Sequence, residues 1–479
     1  MPDRANPHQQ RRPQTVGIAF TLALVFACFT LASTSYLAWL YRLMAIAPEA
    51  SIEAITMVGG YAFQALGIGF MCALMRGRPA LTGRLPFITA IALHFACAAA
   101  AMLASSYEAL VALGFAMSFL YGIVCAFYLH RLTRWVPRSR RGIAFGGGYA
   151  CSVATTWCLS LMQGGNPLGA TESVVVCAVL SLLAIAMVAG SHGIPPIRDD
   201  APAENGNAAA AMAGEKPADG RKGIRAVADI ISLACVTVVL LSLVKNVGFG
   251  FPSADLVDTV NLESSRLFYA AGLLIAGFIA DTNRKYAALC CVAALVFPFG
   301  FLALANEPIP GTILWAVDYL FFGFFSVYRV VLFSDLAEDS GCEYLAGFGL
   351  MFGRIGDALG TALELALGAN LVALVAVAAV LFAATIFAFY HLFLRLYPAR
   401  PQPQKTEQER FEEFAATYGI SVREREVLRL VLSERTNAEV AGMLFVTEGT
   451  VKYHVHNLLK KTDCTSRREL IEKYNAETR

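Results

Sequence analysis

Residues 447–461 read TEGTVKYHVHNLLKK and form the most informative stretch of the chain. Thr447 is a residue type that caps a helix N-terminus, and Glu448 suits the positive end of the helix dipole. Apolar residues follow at the spacing of a helix packed on one side, namely Val451, Val455, Leu458 and Leu459. The other faces carry long, mostly cationic side chains, namely Lys452, Tyr453, His456, Lys460 and Lys461. A short helix with a basic exposed face suits the major groove of DNA.

The residues before and after this helix predict the rest of a helix-turn-helix. Residues 421–424 read Ser-Val-Arg-Glu, a capping box ahead of an amphipathic run. A second short helix is expected at Ala438–Met443, and Leu444–Val446 form the turn into the recognition helix. Thr436 or Asn437 is expected to cap this second short helix. Thr465 or Ser466 is expected to cap a last helix after the recognition helix. A further short helix around Phe411, Phe414 and Tyr418 is expected to dock onto this module.

Four motifs in this region resemble the LuxR-type DNA-binding domain. They are REREVL (423–428), NAEVA (437–441), EGTVKYH (448–454) and SRREL (466–470). The resemblance implies a four-helix module that binds double-stranded DNA as a homodimer through its last helix. It also implies that Lys452, Tyr453 and His456 contact base edges. Thr450, Val451 and Lys460 are expected close to the DNA backbone, and Lys461 completes the set of DNA-binding candidates.

Three positions depart from the LuxR pattern. Glu434 stands where the family usually has a helix-ending glycine, so this turn is expected to be strained or shifted. Ala438 replaces a usual lysine, and His456 replaces a common basic residue, which leaves the target DNA sequence open.

The alternative for this region is a small helical bundle that binds protein. Charge favours DNA, because five cations gather between positions 452 and 468 against one acid, Asp463. The cations are Lys452, Lys460, Lys461, Arg467 and Arg468.

The composition of the remaining residues is that of a membrane protein. Hydrophobic residues make up 57% of the 479 residues and charged residues only 15%, and the mean hydropathy is +0.57. A soluble protein carries about 25% charged residues. The twelve cysteines lie mostly in apolar runs, so we interpret them as small hydrophobes and expect no metal site, disulfide framework or cofactor. No ATP-binding loop or hydrolytic constellation is present, so the sequence predicts no enzyme.

Twelve apolar runs have about the length that spans a bilayer, and they predict an all-α bundle of two six-helix halves. The first six are Val16–Leu40, Ala54–Met75, Leu85–Ala104, Ala109–Leu129, Ile143–Met162 and Ser173–Gly190. The second six are Ala226–Gly248, Leu267–Ala280, Tyr286–Leu304, Ile313–Phe333, Tyr344–Leu367 and Leu371–Tyr397. Arginine and lysine concentrate in the loops after even-numbered runs, which predicts that both termini are cytoplasmic in a bacterial inner membrane.

Composition shifts divide the chain into six segments. In order, we predict a cytoplasmic tail at 1–15, a first membrane half at 16–190, a linker at 191–225, a second membrane half at 226–397, a linker at 398–410 and the DNA-binding domain at 411–479.

This plan, together with one motif, resembles the major facilitator superfamily. The motif is GFIADTNRK (277–285), which is similar to the family's Gly-x-x-x-Asp-x-x-x-Arg-Lys loop but one residue tighter before the arginine. Its key residues are Gly277, Asp281, Arg284 and Lys285. Asp281 is expected to cap the next helix or to pair with an arginine, holding the two halves together. The equivalent loop of the first half, around residues 76–84, lacks the aspartate.

Ionisable residues inside spans are costly and therefore informative. Four of them are candidates for the lining of a ligand cavity, namely Asp318, Arg354, Asp357 and Glu364. The alternative is that Arg354 and Asp357, three positions apart on one helix face, neutralise each other and that Lys245 pairs with an acid, all for helix packing.

Two functions follow from these segments. The first is a membrane-bound one-component transcription regulator, which senses an unknown small ligand with its transporter-like part and binds DNA with its C-terminal domain. The second is a working secondary transporter that carries a regulatory DNA-binding domain. The missing aspartate in the first half favours the regulator.

Overall fold

A computed structural model describes residues 7–78, 83–162, 168–191, 220–249, 262–296, 308–368, 370–398 and 406–477. The regular elements in these ranges are helices, so the all-α prediction is confirmed. The chain divides into two compact units, Met1–Pro398 and Ala399–Arg479, which are described separately below.

The first half of the membrane unit contains seven α-helices in the described residues. They are α1 Pro7–Met44, α2 Glu49–Glu53, α3 Gly60–Gly77, α4 Arg84–Leu103, α5 Tyr107–Trp135, α6 Arg141–Met162 and α7 Ala170–Gly190. A π-helical turn, Ala54–Gly59, joins α2 to α3, and a 3₁₀ turn, Arg138–Arg140, precedes α6.

The second half of the membrane unit contains six α-helices in the described residues. They are α8 Gly220–Phe249, α9 Leu262–Thr282, α10 Arg284–Ala294, α11 Pro308–Ser340, α12 Phe348–Leu367 and α13 Leu371–Leu396. A 3₁₀ turn, Glu343–Gly347, leads into α12.

Each of the twelve predicted spans coincides with one of these helices. Within the described residues, eight helices are long and apolar enough to cross a membrane. The other four predicted spans fall on α6, α9, α10 and α12, which are shorter or more polar. The predicted ninth span continues to Leu304, but residues 297–304 lie outside the described residues.

Three predicted segment boundaries are shifted in the structure. Helix α1 begins at Pro7, inside the predicted tail, where glutamines and arginines favour helix. Helix α8 begins at Gly220, six residues before the predicted span, and most of the predicted linker at 191–225 lies outside the described residues. The linker predicted at 398–410 ends earlier, because the capping box of Thr406 and Glu409 starts a helix at Glu407.

Both halves of the membrane unit share one hydrophobic core. Leu24, Phe127 and Phe145 from the first half and Leu273 and Phe333 from the second are buried in the same cluster. The two halves therefore pack on each other through apolar side chains as well as through the polar contacts described below.

Within the described residues 406–477, the C-terminal unit has its own core and five helices. They are α14 Glu407–Thr417, α15 Val422–Leu432, α16 Asn437–Leu444, α17 Glu448–Thr462 and α18 Arg467–Glu477. Helix α14 matches the predicted docking helix, since Phe411 and Phe414 are buried in the core with residues of the four following helices.

Candidate functional site

The start of α17 is fixed by a turn and a cap. Phe445 ends α16 in the left-handed conformation, with φ of +56°. The chain then reverses, and the Thr447 hydroxyl accepts a hydrogen bond from the Thr450 amide at 3.3 Å. Val451 and Leu458 are fully buried, so α17 is held against α15 and α16 by the apolar stripe that the sequence predicts.

The opposite face of α17 is exposed. With about 3.6 residues per turn, four exposed side chains lie along one stripe, namely Lys452, Tyr453, His456 and Lys460. Tyr453 is 63% exposed. Lys452 lies 3.1 Å from Glu448, but both side chains are more than half exposed, so this pair is weak and leaves the ammonium available. The stripe presents hydrogen-bond donors and an aromatic ring to a partner.

Two of the predicted DNA contacts occupy other positions. The side chain of Val451 lies in the core with 0% exposure, because it belongs to the buried stripe and not to the exposed face of α17. Lys461 is turned towards α15, where its ammonium lies 2.6 Å from Glu424 and 2.9 Å from the carbonyl oxygen of Gly419. Thr450 is exposed at the helix start, where its hydroxyl is 2.9 Å from that of Thr447.

Arg467 is also bonded inside the module. Its guanidinium donates to the side-chain oxygen of Asn437 at 3.2 Å and to the carbonyl oxygen of Arg435. These bonds tie the start of α18 to the turn before α16. Two of the five cations counted along the sequence, Lys461 and Arg467, therefore form bonds within the module.

Glu424 connects the first helix of the motif to the recognition helix. Its carboxylate accepts from the Ser421 amide at 2.8 Å, which completes the predicted capping box. Burial opposes ionisation, but the hydrogen bond from Lys461 and those from Ser421 hold the pKa of Glu424 below its usual value. The Glu424–Lys461 ion pair, at 2.6 Å, therefore fixes α17 relative to α15.

The predicted strain at Glu434 is present as backbone geometry. Glu434 has φ of +58°, the left-handed region that glycine adopts without cost. Its amide donates to the carbonyl oxygen of Val431 at 3.0 Å, which closes the end of α15. The helix thus ends as in a glycine-capped helix, with a residue type that is strained there.

Asp281, in the membrane unit, links the two halves. Its two carboxylate oxygens accept from the amides of Gly142 and Ile143 at 2.7 and 2.8 Å. It therefore caps α6 of the first half, whereas Asn283 caps the next helix, α10. Of the two roles expected for Asp281, capping of the next helix is the one that is not observed. The expected pairing with an arginine is present, since Arg284 lies 3.3 Å away.

A glycine pair explains how Asp281 reaches α6. A Cβ on Gly277 would lie 2.7 Å from the carbonyl oxygen of Gly142, and one on Gly142 would lie 2.4 Å from that of Gly277. Only glycine at both positions permits this approach of α6 and α9. The motif glycine thus brings the first-turn amides of α6 within reach of the carboxylate.

Asp335 is the centre of an arginine network at the same end of the bundle, which sequence reasoning missed. It contacts Arg141 at 2.9 Å, Arg284 at 2.9 Å and Arg138 at 3.3 Å. Arg138 also pairs with Asp339 at 2.7 Å. Because Arg138 and Arg141 belong to the first half and the other three residues to the second, the network joins the halves. Lys285 lies apart, over the ring of Tyr397.

A second charge cluster lies within the spans around Asp357, which is 0% exposed. Lys245 contacts it at 2.9 Å, Arg354 at 3.1 Å and Arg329 at 3.5 Å. The predicted neutralisation of Arg354 and the pairing of Lys245 with an acid are therefore both observed, and on the same acid. Arg329 was missed, although it is an ionisable residue inside the predicted span Ile313–Phe333.

The other two cavity candidates are placed differently. Asp318 is 2% exposed, and its Oδ1 has no hydrogen-bond partner among the described residues. Glu364 is half-buried and lies in electrostatic range of Glu53 from the first half. Asp357 is enclosed by its three cations. These cations, and not the carboxylate, are therefore the groups that can face a ligand.

The C-terminal unit defines a helix-turn-helix DNA-binding domain, and the preceding helices define a multi-pass membrane protein. The sequence profile of the bacterial regulatory proteins of the luxR family matches residues 419–474. The spore germination protein GerE of Bacillus subtilis (strain 168) is 33% identical over 60 residues, which are 12% of this chain and 81% of GerE. The chain belongs to the LuxR family through this domain.

Two further comparisons extend the picture. The response regulator protein TmoT of Ectopseudomonas mendocina is 38% identical over 69 residues, 14% of this chain, and the chain spans only 31% of that protein. The structure of the E. coli fucose:proton symporter FucP matches with a TM-score of 0.51 at 12% identity, over 79% of this chain and 99% of that one. At this identity the match shows only that the fold is similar to that of this symporter.

Proposed function

We propose that the chain is a one-component transcription regulator of the bacterial cytoplasmic membrane. The observation that carries this proposal is the exposed stripe of Lys452, Tyr453, His456 and Lys460 on a helix whose other face is fully packed. A recognition helix of this kind positions side chains for base edges, while its cations supply affinity for phosphates. Both termini lie in the cytoplasm in this proposal, as the distribution of Lys and Arg among the loops supports.

The C-terminal domain acts as a homodimer in this proposal. Two modules attached to neighbouring membrane units meet the two halves of a palindromic site at high effective concentration. The membrane attachment therefore raises occupancy without new DNA contacts. A change in the spacing of the two attachment points changes that occupancy.

The membrane unit supplies the signal in this proposal. A small ligand shifts the population of two arrangements of the halves, provided that it binds one arrangement better than the other. The polar contacts between the halves, centred on Asp281 and Asp335, support a two-state interface. Charged groups can exchange partners when the halves move.

A second candidate is a secondary transporter with a regulatory domain. The specific observation that favours it is the cluster around Asp357, because buried ionisable groups within spans mark ion or substrate pathways in transporters. Accumulation of a labelled solute driven by this chain would support this candidate, and binding without flux would support the regulator.

Transcript profiling separates the two candidates. A deletion strain is compared with a strain carrying Lys452→Ala and His456→Ala in the full chain. The regulator predicts the same small set of altered transcripts in both strains. A change of uptake in the deletion strain alone, with unaltered transcripts in both strains, would overturn the regulator proposal. The full chain with Arg423→Ala is the control, because Arg423 is an exposed cation outside the recognition helix.

A further inference from the structure

The cluster around Asp357 has more positive than negative charge. Lys245, Arg329 and Arg354 all pair with this one carboxylate. Asp318 adds a second carboxylate within electrostatic range of Lys245. Three cations therefore face the one carboxylate of Asp357, and even with Asp318 counted as a second anion at least one positive charge remains uncompensated. Such a charge is costly inside a membrane span unless an anion or water satisfies it.

The arginines also have unused hydrogen-bond donors. The Nε atoms of Arg329 and Arg354 are both buried and have no hydrogen-bond partner within the described part of the chain. The large majority of buried N–H groups in proteins have a hydrogen-bond partner, and each exception calls for an explanation. Guanidinium groups match the geometry of a carboxylate, which accepts two parallel hydrogen bonds.

The surroundings of Arg354 are aromatic and partly open. Its guanidinium lies 4.5 Å from the ring centroid of Tyr61, and Tyr149 is within electrostatic range. The Tyr121 hydroxyl is buried without a hydrogen-bond partner in the described ranges. The side chains of Arg354 and Lys245 each retain 17% exposure, so the cluster is not sealed. Tyrosine side chains provide both apolar contact and hydrogen-bonding hydroxyl groups for a small organic molecule.

We propose that this cluster binds a small organic carboxylate, held by Arg354 and Arg329 and lined by tyrosines. A carboxylate supplies negative charge to this cationic cluster and accepts the unused N–H groups. The inference rests on the proposed function, because it assigns a ligand class to the sensing unit.

The position of the cluster links this ligand to the arrangement of the halves. Tyr61 belongs to α3 of the first half, whereas Lys245, Arg329, Arg354 and Asp357 belong to the second. A carboxylate that engages Arg354 competes with Asp357 and changes the stacking on Tyr61. Binding therefore acts on a contact between the two halves. A ligand that shifts the arrangement of the halves must bind one arrangement better than the other.

Thermal unfolding of the purified full-length protein tests the proposal. Benzoate, phenylacetate and succinate are compared with their neutral amides at matched concentration. At least one of the acids is expected to raise Tm, and its amide is not. Arg354→Gln is expected to weaken the apparent affinity by roughly tenfold or more, the loss of one charge-assisted bidentate contact. Arg354→Lys keeps the charge and is expected to give an intermediate affinity.

Three results would overturn the proposal: no shift with any of the acids, an equal shift with an amide, or an unchanged affinity in Arg354→Gln. The matched control is Arg76→Gln, since Arg76 also stacks on a tyrosine, Tyr344, at 5.6 Å but lies outside the cluster. Its affinity for the acid is expected to stay unchanged. Because no DNA is present, a failure here leaves the DNA-binding function standing, and a failure of promoter binding leaves this result standing.

Discussion

Replacing Glu434 by glycine is expected to stabilise the C-terminal unit. Glu434 has φ of +58°, which costs a residue with a Cβ roughly 1–2 kcal/mol. Its side chain is exposed, and its amide bond to Val431 survives the substitution. Glycine also gives the unfolded chain more conformational freedom, which lowers the free energy of unfolding by about 0.4–1 kcal/mol and offsets part of this gain. The net gain in the free energy of unfolding is therefore about 0.5–1 kcal/mol.

Thermal unfolding of the unit Ala399–Arg479, which has its own core, measures this gain. For a domain of this size the expected rise in Tm is roughly 2–8 °C. The matched control is Gly419→Ala, because Gly419 has φ of +57° and a Cβ there would meet no atom within 4 Å. That variant introduces the same strain without a clash and is expected to lower Tm. A lower Tm for Glu434→Gly, or a higher one for Gly419→Ala, would refute the strain argument.

Two further predictions concern ion pairs. The pKa of Glu424 is lower in the folded state than its ordinary value of 4.5, so its ion pair with Lys461 contributes fully above that value and is lost as the pH falls through the folded pKa. Urea unfolding between about pH 6 and pH 3 should therefore cost the wild-type domain more stability than Glu424→Gln, and equal pH dependence would contradict this. In the membrane unit, Asp335→Asn leaves three arginines without their shared carboxylate. It should lower the Tm of the detergent-solubilised protein more than Asp339→Asn, which affects Arg138 alone. A smaller effect of Asp335→Asn than of Asp339→Asn would count against the network.

The sequence predicted most of the recognition module, because its signals are local. The capping box of Ser421 and Glu424 and the cap at Thr447 act within one helical turn, and the structure contains both. The side on which a cation lies is a tertiary property, which is why Lys461 and Arg467 were counted as surface charge. Both residues instead bond to neighbouring helices.

Contacts in the membrane unit were less predictable for the same reason. Apolar runs located the helices, but pairing between helices depends on rotation and approach, which hydropathy does not encode. Asp281 caps α6, more than a hundred residues away, because Gly142 and Gly277 permit close approach. The position of Arg329 inside an apolar run marks it as informative, but that position does not specify its partner, Asp357.

The affinity of the full-length protein for its own operator tests the central claim most directly. Genomic fragments captured by the purified protein supply the operator, and its Kd is then measured for wild type, for Lys452→Ala with His456→Ala, and for Arg423→Ala. Each lost base contact costs about 1–3 kcal/mol, so the double variant should bind roughly 30-fold more weakly or worse, while Arg423→Ala stays close to wild type. Equal Kd values for the double variant and wild type would contradict the assignment of α17 as the recognition helix.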